Sequence, residues 1–365
     1  MTKFPLDCPP FPPLHLIQSD KETLLDLTDR LLIETIEDYE LHYYNGIVDS
    51  TRWVRLKQFE DIVVYEDREA LKERRLSRVS PSRVTKHPEN MLSLLWSGTM
   101  RGNLDDIMYA AVNRTDEDVK IKDAYIESNV VDSAVLSTLV YPTVSDPFRG
   151  VHIKWAVNAG PSMMRSVVRC RDFVYVESTG ITTTSTGERI GFQLVHSVVI
   201  PGAPELHEFK LVRGNMTILH FFRQKSEGVV ETFVKAFIDL MGDMPLRVAT
   251  TLSTNGLVSV WKFGEYALMK KLSLLLKQRR PIMPSNSAKL CHVCPKIISG
   301  NMVRRRTRAV VQKTAHVCTS CIQLASFTNG VDAALNELSR TTGQYKAYTY
   351  WSVISPTSSS SSIML

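Results

Sequence analysis

Four of the six cysteines in this 365-residue chain fall in two pairs, Cys291-His292-Val293-Cys294 and Cys318-Thr319-Ser320-Cys321, with 23 residues between them. Two thiolates at this spacing can hold one side of a tetrahedral ion, so the two pairs together are candidate ligands for one structural zinc. His292 lies between ligands and is not counted as one. The separation is slightly longer than in the commonest zinc ribbons. Between the pairs stands Arg304-Arg305-Arg306-Thr307-Arg308, a candidate contact for a polyanion such as an anionic membrane surface. It belongs to a longer run: from Lys270 to Lys313 there are twelve Lys or Arg and no acid, while residues 1–50 carry ten acids and three bases. The alternative is a solvated basic face that meets the acidic N-terminal part of the same molecule.

Enzyme signatures are missing. The chain holds no G-x-S-x-G elbow, no phosphate loop, no H-E-x-x-H and no G-x-G-x-x-G. His196 and Ser197 are neighbours on a predicted strand, so they point to opposite faces and form no dyad. The chain is therefore read as non-catalytic. Its composition, 44% hydrophobic and 22% charged, is that of a globular protein long enough for two domains. No apolar stretch reaches membrane-spanning length, and the first residues do not resemble a secretory signal. The expected location is the cytoplasm, with peripheral contact to membranes, and the thiols are expected reduced or metal-bound.

The elements that must position any site follow from patterning. Residues 1–18 are rich in proline and read as irregular. Ser19 to Glu22 reads as a capping box, and Leu24, Leu25, Thr28, Leu31, Leu32 and Ile36 recur at helical spacing, which predicts an amphipathic helix within 19–50. From 52 to 240 the runs are mostly β-branched and aromatic with turn signals between them, predicting an antiparallel meander. Short helices are predicted near Asn103 and near Asp132. After Pro245 a long helix is predicted to about Leu276, weakened by Gly256, Gly264 and the Thr- and Ser-rich 250–254. Residues 328–342 predict a short closing helix, and Ser358–Ser362 belong to a tail of disorder-prone composition. The fold class is thus α+β: a curved antiparallel sheet around a long C-terminal helix, a helix-grip arrangement, with an N-terminal helix and a small C-terminal zinc-binding module.

Four segments carry a resemblance to a known family. They are Trp96-Ser97-Gly98-Thr99-Met100-Arg101-Gly102, then Asp146-Pro147-Phe148 with Gly150-Val151-His152-Ile153-Lys154-Trp155, then Arg171-Asp172-Phe173-Val174-Tyr175-Val176, and finally Phe237 through Pro245. In order and spacing they resemble the START domain, the lipid-binding domain related to steroidogenic acute regulatory protein, over 52–278. The resemblance implies one lipid in a tunnel between sheet and last helix, with that helix and nearby loops as a gate, and no reaction. Burying about 400 Å² of lipid surface at about 25 cal/mol/Å² gives roughly 10 kcal/mol before association costs.

Alternation places Phe173, Tyr175 and Glu177 on one strand face. The resemblance makes Glu177 the candidate for the lipid's polar end, with a desolvated carboxylate of raised pKa. The alternatives are a glutamate in water or one paired with Arg189. Tyr175, Phe173, Trp155, Gly256 and Val260 complete the candidate lining, although aromatics here also suit an ordinary core. The stretch 286–327 resembles a degenerate FYVE-type finger in its first and last cysteine pairs and its arginines, with two pairs and the motif histidines missing. Phosphoinositide recognition therefore does not transfer to it. The expected partners are a lipid, an anionic membrane and a protein, with nucleic acid a weaker reading. The competing function is a lipid-free interaction adaptor.

Overall fold

The structure, a computed structural model, describes residues 4–12, 14–43, 46–72, 91–126, 129–159, 168–242, 244–278, 302–306, 309–313 and 317–341. Its centre is one ten-stranded sheet: β1 (Trp53–Phe59), β2 (Ile62–Asp67), β3 (Leu92–Arg101), β4 (Val130–Val140), β5 (Gly150–Asn158), β6 (Arg171–Thr183), β7 (Arg189–Ser197), β8 (Val212–Arg213), β9 (Asn215–Ser226) and β10 (Val229–Asp239). The strands run in the order β1-β2-β3-β10-β9-β7-β6-β5-β4, antiparallel throughout, with β8 adding a short parallel pairing to β6. Both flanks of this order are built largely from strands adjacent in sequence, as antiparallel pairing allows. A turn at Glu60, with φ 48, splits the run 56–67 into two strands.

Helices surround the sheet, among them α1 (Gln18–His42), α2 (Leu104–Ala111), α3 (Asp116–Ile126), α4 (Leu246–Val258), α5 (Phe263–Gln278), α6 (Thr319–Phe327) and α7 (Gly330–Thr341), with a further helical stretch at 68–72 after β2. The inner face of the sheet packs on α2, α4, α5 and α7 through Leu94, Trp96, Phe222, Val234, Met108, Leu257, Phe263, Ala267 and Ala333. The outer face is covered by α1, whose Tyr39 sits against Phe221, while Tyr43 just after the helix sits against Phe233. A hairpin of β11 (Met302–Arg306) and β12 (Ala309–Lys313) carries the arginine cluster. No helix among the described residues is long and apolar enough to cross a membrane.

Three expectations need correction. The helix predicted near Asp132 is strand β4. Its pairing with β5 shifts register three times, between Val130 and Asp132, Val135 and Ser137, and Thr138 and Val140. Such bulges interrupt the alternation of a strand, so the apolar positions fall at spacings that imitate a helix. The capping box is also absent: α1 starts at Gln18, and Ile17 before it makes no side-chain cap bond. Inside the first turn Gln18 Nε2 instead donates to Glu22 at 2.9 Å. Finally, the long C-terminal helix is broken into α4 and α5 by a 3-10 turn at Ser259–Lys262. Trp261 in that turn meets Phe59 of β1 with ring centroids 5.1 Å apart. Gly264 just beyond it lets the backbone close on β3, where a Cβ would lie 2.6 Å from the Arg101 carbonyl oxygen.

Candidate functional site: a polar row across the inner face

Register carries polar side chains from the central strands to the inner face. On β5 and β6, Lys154 stands opposite Tyr175 and His152 opposite Glu177. On β7 and β9, Gln193 stands opposite His220. Thr232 on β10 lies diagonal to His220, which is opposite Val234, and Val234 is in turn opposite Trp96 on β3. Most other inner positions of these strands are apolar, with Arg171 and Thr179 on β6 among the exceptions.

Lys154 and Glu177 form an ion pair, and both are buried. The Lys154 ammonium also donates to the Asn113 carbonyl oxygen at 2.8 Å. The second Glu177 oxygen accepts from Gln193 Nε2 at 2.9 Å. Burial pushes the Lys154 ammonium down from its ordinary value. For Glu177 burial acts upward, but the cations Lys154 and Lys122 outweigh it and hold the carboxyl below its usual range. The expected raised carboxyl pKa is therefore corrected: a counter-ion that the sequence reading did not pair with Glu177 reverses the direction. Neither alternative placement of Glu177 holds either, since it is buried and Arg189 instead meets Asp105 at 2.6 Å.

The neighbours of the pair are less well supplied. His220 Nδ1 lies 3.3 Å from the Gln193 carbonyl oxygen. A carbonyl can only accept, so Nδ1 carries the proton and Nε2 is left as a bare acceptor. Burial pushes the pKa of His220 down to about 4. His152 shares Nδ1 with Thr138 Oγ1 at 3.1 Å, and burial followed by Lys154 brings it down to about 4 as well. Among the described residues, His220 Nε2, His152 Nε2, Thr232 Oγ1 and Trp96 Nε1 are buried without a hydrogen-bond partner, as is Ser253 Oγ on α4. Such groups are exceptional in folded proteins and cost free energy unless something satisfies them.

Of the sequence candidates, Glu177, Tyr175 and Phe173 share the inner face, the latter two in an apolar cluster with Ala156 and Val195. Val260 is buried in the main core beside Phe263. Trp155 is not with them. It points to the outer face, edge-on to Phe11 at 5.8 Å, and donates to Asp172 Oδ2 at 3.0 Å. Gly256 is exposed, and a Cβ there would meet nothing, while its neighbour Leu257 is the buried residue. Sequence reasoning missed Lys154, Gln193, His220, Thr232 and Trp96. The signal available was one or two polar residues inside each apolar strand run, HIKWAV, GFQLV, ILHFF and VETFV among them.

The basic run is partly consumed inside the fold. Lys270 Nζ donates to the Tyr109 and Val112 carbonyl oxygens at 3.0 and 2.7 Å, and Lys271 meets Asp106 at 2.7 Å. The acidic helix α1 pairs elsewhere, Asp38 with Lys235 at 2.6 Å and Asp29 with Arg149 at 3.6 Å. Arg304, Arg305 and Arg306 lie on β11, and Arg308 lies outside the described residues. Cys318 precedes α6 and Cys321 lies in its first turn, three residues on and both buried against Leu272. Cys291 and Cys294 lie outside the described residues, and among the described residues no group of three or more metal-binding side chains gathers.

No family model and no curated protein matches the chain. Among solved structures it is similar to human StAR-related lipid transfer protein 5, at 15% identity over 68% of this chain and 98% of that one, with a TM-score of 0.44. It is also similar to the human StarD13 lipid transfer and protein localization domain (14% identity, 69% and 98% covered, TM-score 0.39). A fragment of a STAR-related lipid transfer protein from Xanthomonas axonopodis is a third (15% identity, 59% and 98% covered, TM-score 0.40). Similarity at this level assigns no ligand, and the function has to be read from the polar row itself.

Proposed function

We propose that this protein binds a single lipid against the inner face of its sheet, under α4 and α5, and moves it between membranes without chemical change. The observation that supports this most is the presence of buried, unpartnered polar atoms, those of His220, His152, Thr232 and Trp96 among them, on a largely apolar face covered by helices. An enclosed apolar surface favours a hydrocarbon body, and the orphaned groups call for a polar end. Native mass spectrometry of the full-length chain tests it. The expected result is a mass excess of one lipid that disappears on denaturation. A bare mass, together with no uptake from vesicles, rejects it.

One observation favours the adaptor instead. Lys154, Glu177, Gln193 and Asn113 satisfy one another, so part of the interior is filled by the protein's own groups. The bare mass would support that reading.

Two accessory roles belong to the same proposal. The arginines of β11 supply about 1 kcal/mol each toward an anionic surface, so binding to phosphatidylserine vesicles should weaken in salt. A zinc shared by Cys291, Cys294, Cys318 and Cys321 would tie α6 to the preceding segment. The close placement of Cys318 and Cys321 at the start of α6 fits one half of that ligand set. Elemental analysis showing one zinc per chain, lost in Cys318→Ser, is the expected result.

A further inference from the structure

The polar row specifies more than a greasy ligand. We propose that the lipid's head is uncharged and bears a hydroxyl, and that His220, Thr232 and Trp96 receive it while the Lys154–Glu177 pair does not. This rests on the lipid-binding reading above and narrows it.

Hydrogen-bond capacity argues for the location. Both Glu177 oxygens are engaged, one by Lys154 and one by Gln193. Partnerless atoms of His220, Thr232 and Trp96 lie together two to four strands away from β6, on β9, β10 and β3, while those of His152 and Ser133 lie on the other side, on β5 and β4. Glu177 acts on the former group at second hand: it holds the Gln193 amide, and the main chain of Gln193 sets the His220 tautomer.

Donor and acceptor types argue for the head group. His220 Nε2 is an acceptor and asks for an O–H or N–H. Trp96 Nε1 is a donor and asks for an oxygen, and Thr232 Oγ1 can serve either way. A hydroxyl answers both, since it donates once and accepts as well. A choline or a phosphodiester offers no donor to His220 at neutral pH.

Charge argues the same way. Lys154 is matched by Glu177, Lys122 lies 3.9 Å from Asp123, and Arg114 pairs with Glu337 at 3.1 Å. Arg171 shares the inner face, but it is six residues before Glu177, about 20 Å along the strand. It is engaged there by the carbonyl oxygens of Arg169, Leu240 and Met241. A phosphate placed beside His220 would thus find no spare cation among the described residues. Sterols, diacylglycerols and ceramides share the required chemistry.

The test uses the full chain and vesicles containing phosphatidylcholine, phosphatidylserine, cholesterol, diacylglycerol and ceramide, with the bound lipid identified by native mass spectrometry. An uncharged hydroxyl lipid should be taken up in preference to either phospholipid. Its affinity should fall about ten- to a hundredfold in His220→Phe, which keeps the ring and removes the acceptor, and recover in part in His220→Gln. The melting temperature of each variant, measured without lipid, separates loss of fold from loss of contact. Preferred uptake of a phospholipid, or His220→Phe binding like the parent while folded, overturns this inference and leaves the lipid-binding reading standing. No uptake of any lipid overturns both.

Discussion

His220 and His152 are held neutral by burial, and this has a sign. Their folded pKa values of about 4 lie below the ordinary 6.5, so below 6.5 the unfolded chain binds protons that the native state does not. Stability should be fully present above pH 6.5 and fall as pH drops toward 4, by at most about 1.4 kcal/mol per pH unit for each histidine. Urea titrations at pH 7, 6 and 5 check this, and His220→Phe should reduce the slope. The Lys154–Glu177 pair behaves differently. Removing one partner, as in Glu177→Gln, leaves a buried ammonium without its carboxylate and should cost about 3–5 kcal/mol. Lys154→Met with Glu177→Leu together should recover most of that loss, which the same titrations would show. Glu177 was readable as an inner-face residue by alternation. Lys154 was not paired with it, because a lysine inside HIKWAV reads equally well as a solvent-facing position.

At the level of elements, the two glycines of the cover have opposite roles. Gly256 is exposed in α4 with open space at its Cβ, so Gly256→Ala should gain about 0.5–1 kcal/mol. If α4 must loosen to admit lipid, the same variant should slow uptake from vesicles while raising the melting temperature. Gly264→Ala would drive a Cβ against the Arg101 carbonyl and should lower the melting temperature instead. Most strands were legible from β-branched runs and turn residues, and α1 and α2 from apolar spacing. β4 was not, since its bulges imitate helical spacing. Helix α3 was passed over: among the described side chains of Asp116–Ile126 only Val119 and Ile126 are buried, set among charged residues. The break between α4 and α5 follows from packing of Trp261 on Phe59, a contact between distant segments that local propensity does not encode.

For the whole molecule, the closing helix is part of the core. Glu337 of α7 accepts from the Tyr109 hydroxyl at 2.7 Å, pairs with Arg114 at 3.1 Å and lies 3.8 Å from Lys270. Glu337→Ala leaves two cations short of their carboxylate and should lower stability by about 3 kcal/mol, readable by thermal denaturation. The sequence showed the helix but not its docking, because partners some 200 residues apart leave no local pattern. The segment from Tyr109 to Asn113 has a mechanical consequence. Tyr266 donates to Asn113 Oδ1 at 3.0 Å, Lys270 donates to the Tyr109 and Val112 carbonyls, and Lys154 reaches the Asn113 carbonyl from the sheet. Helix α5 is thereby bolted to the same knot as the sheet's interior, whereas α4 meets the sheet through apolar contacts and the exposed Lys57–Asn255 bond. Any doorway should swing on the 3-10 turn at Ser259–Lys262, with α4 as the moving leaf and α5 as the fixed jamb.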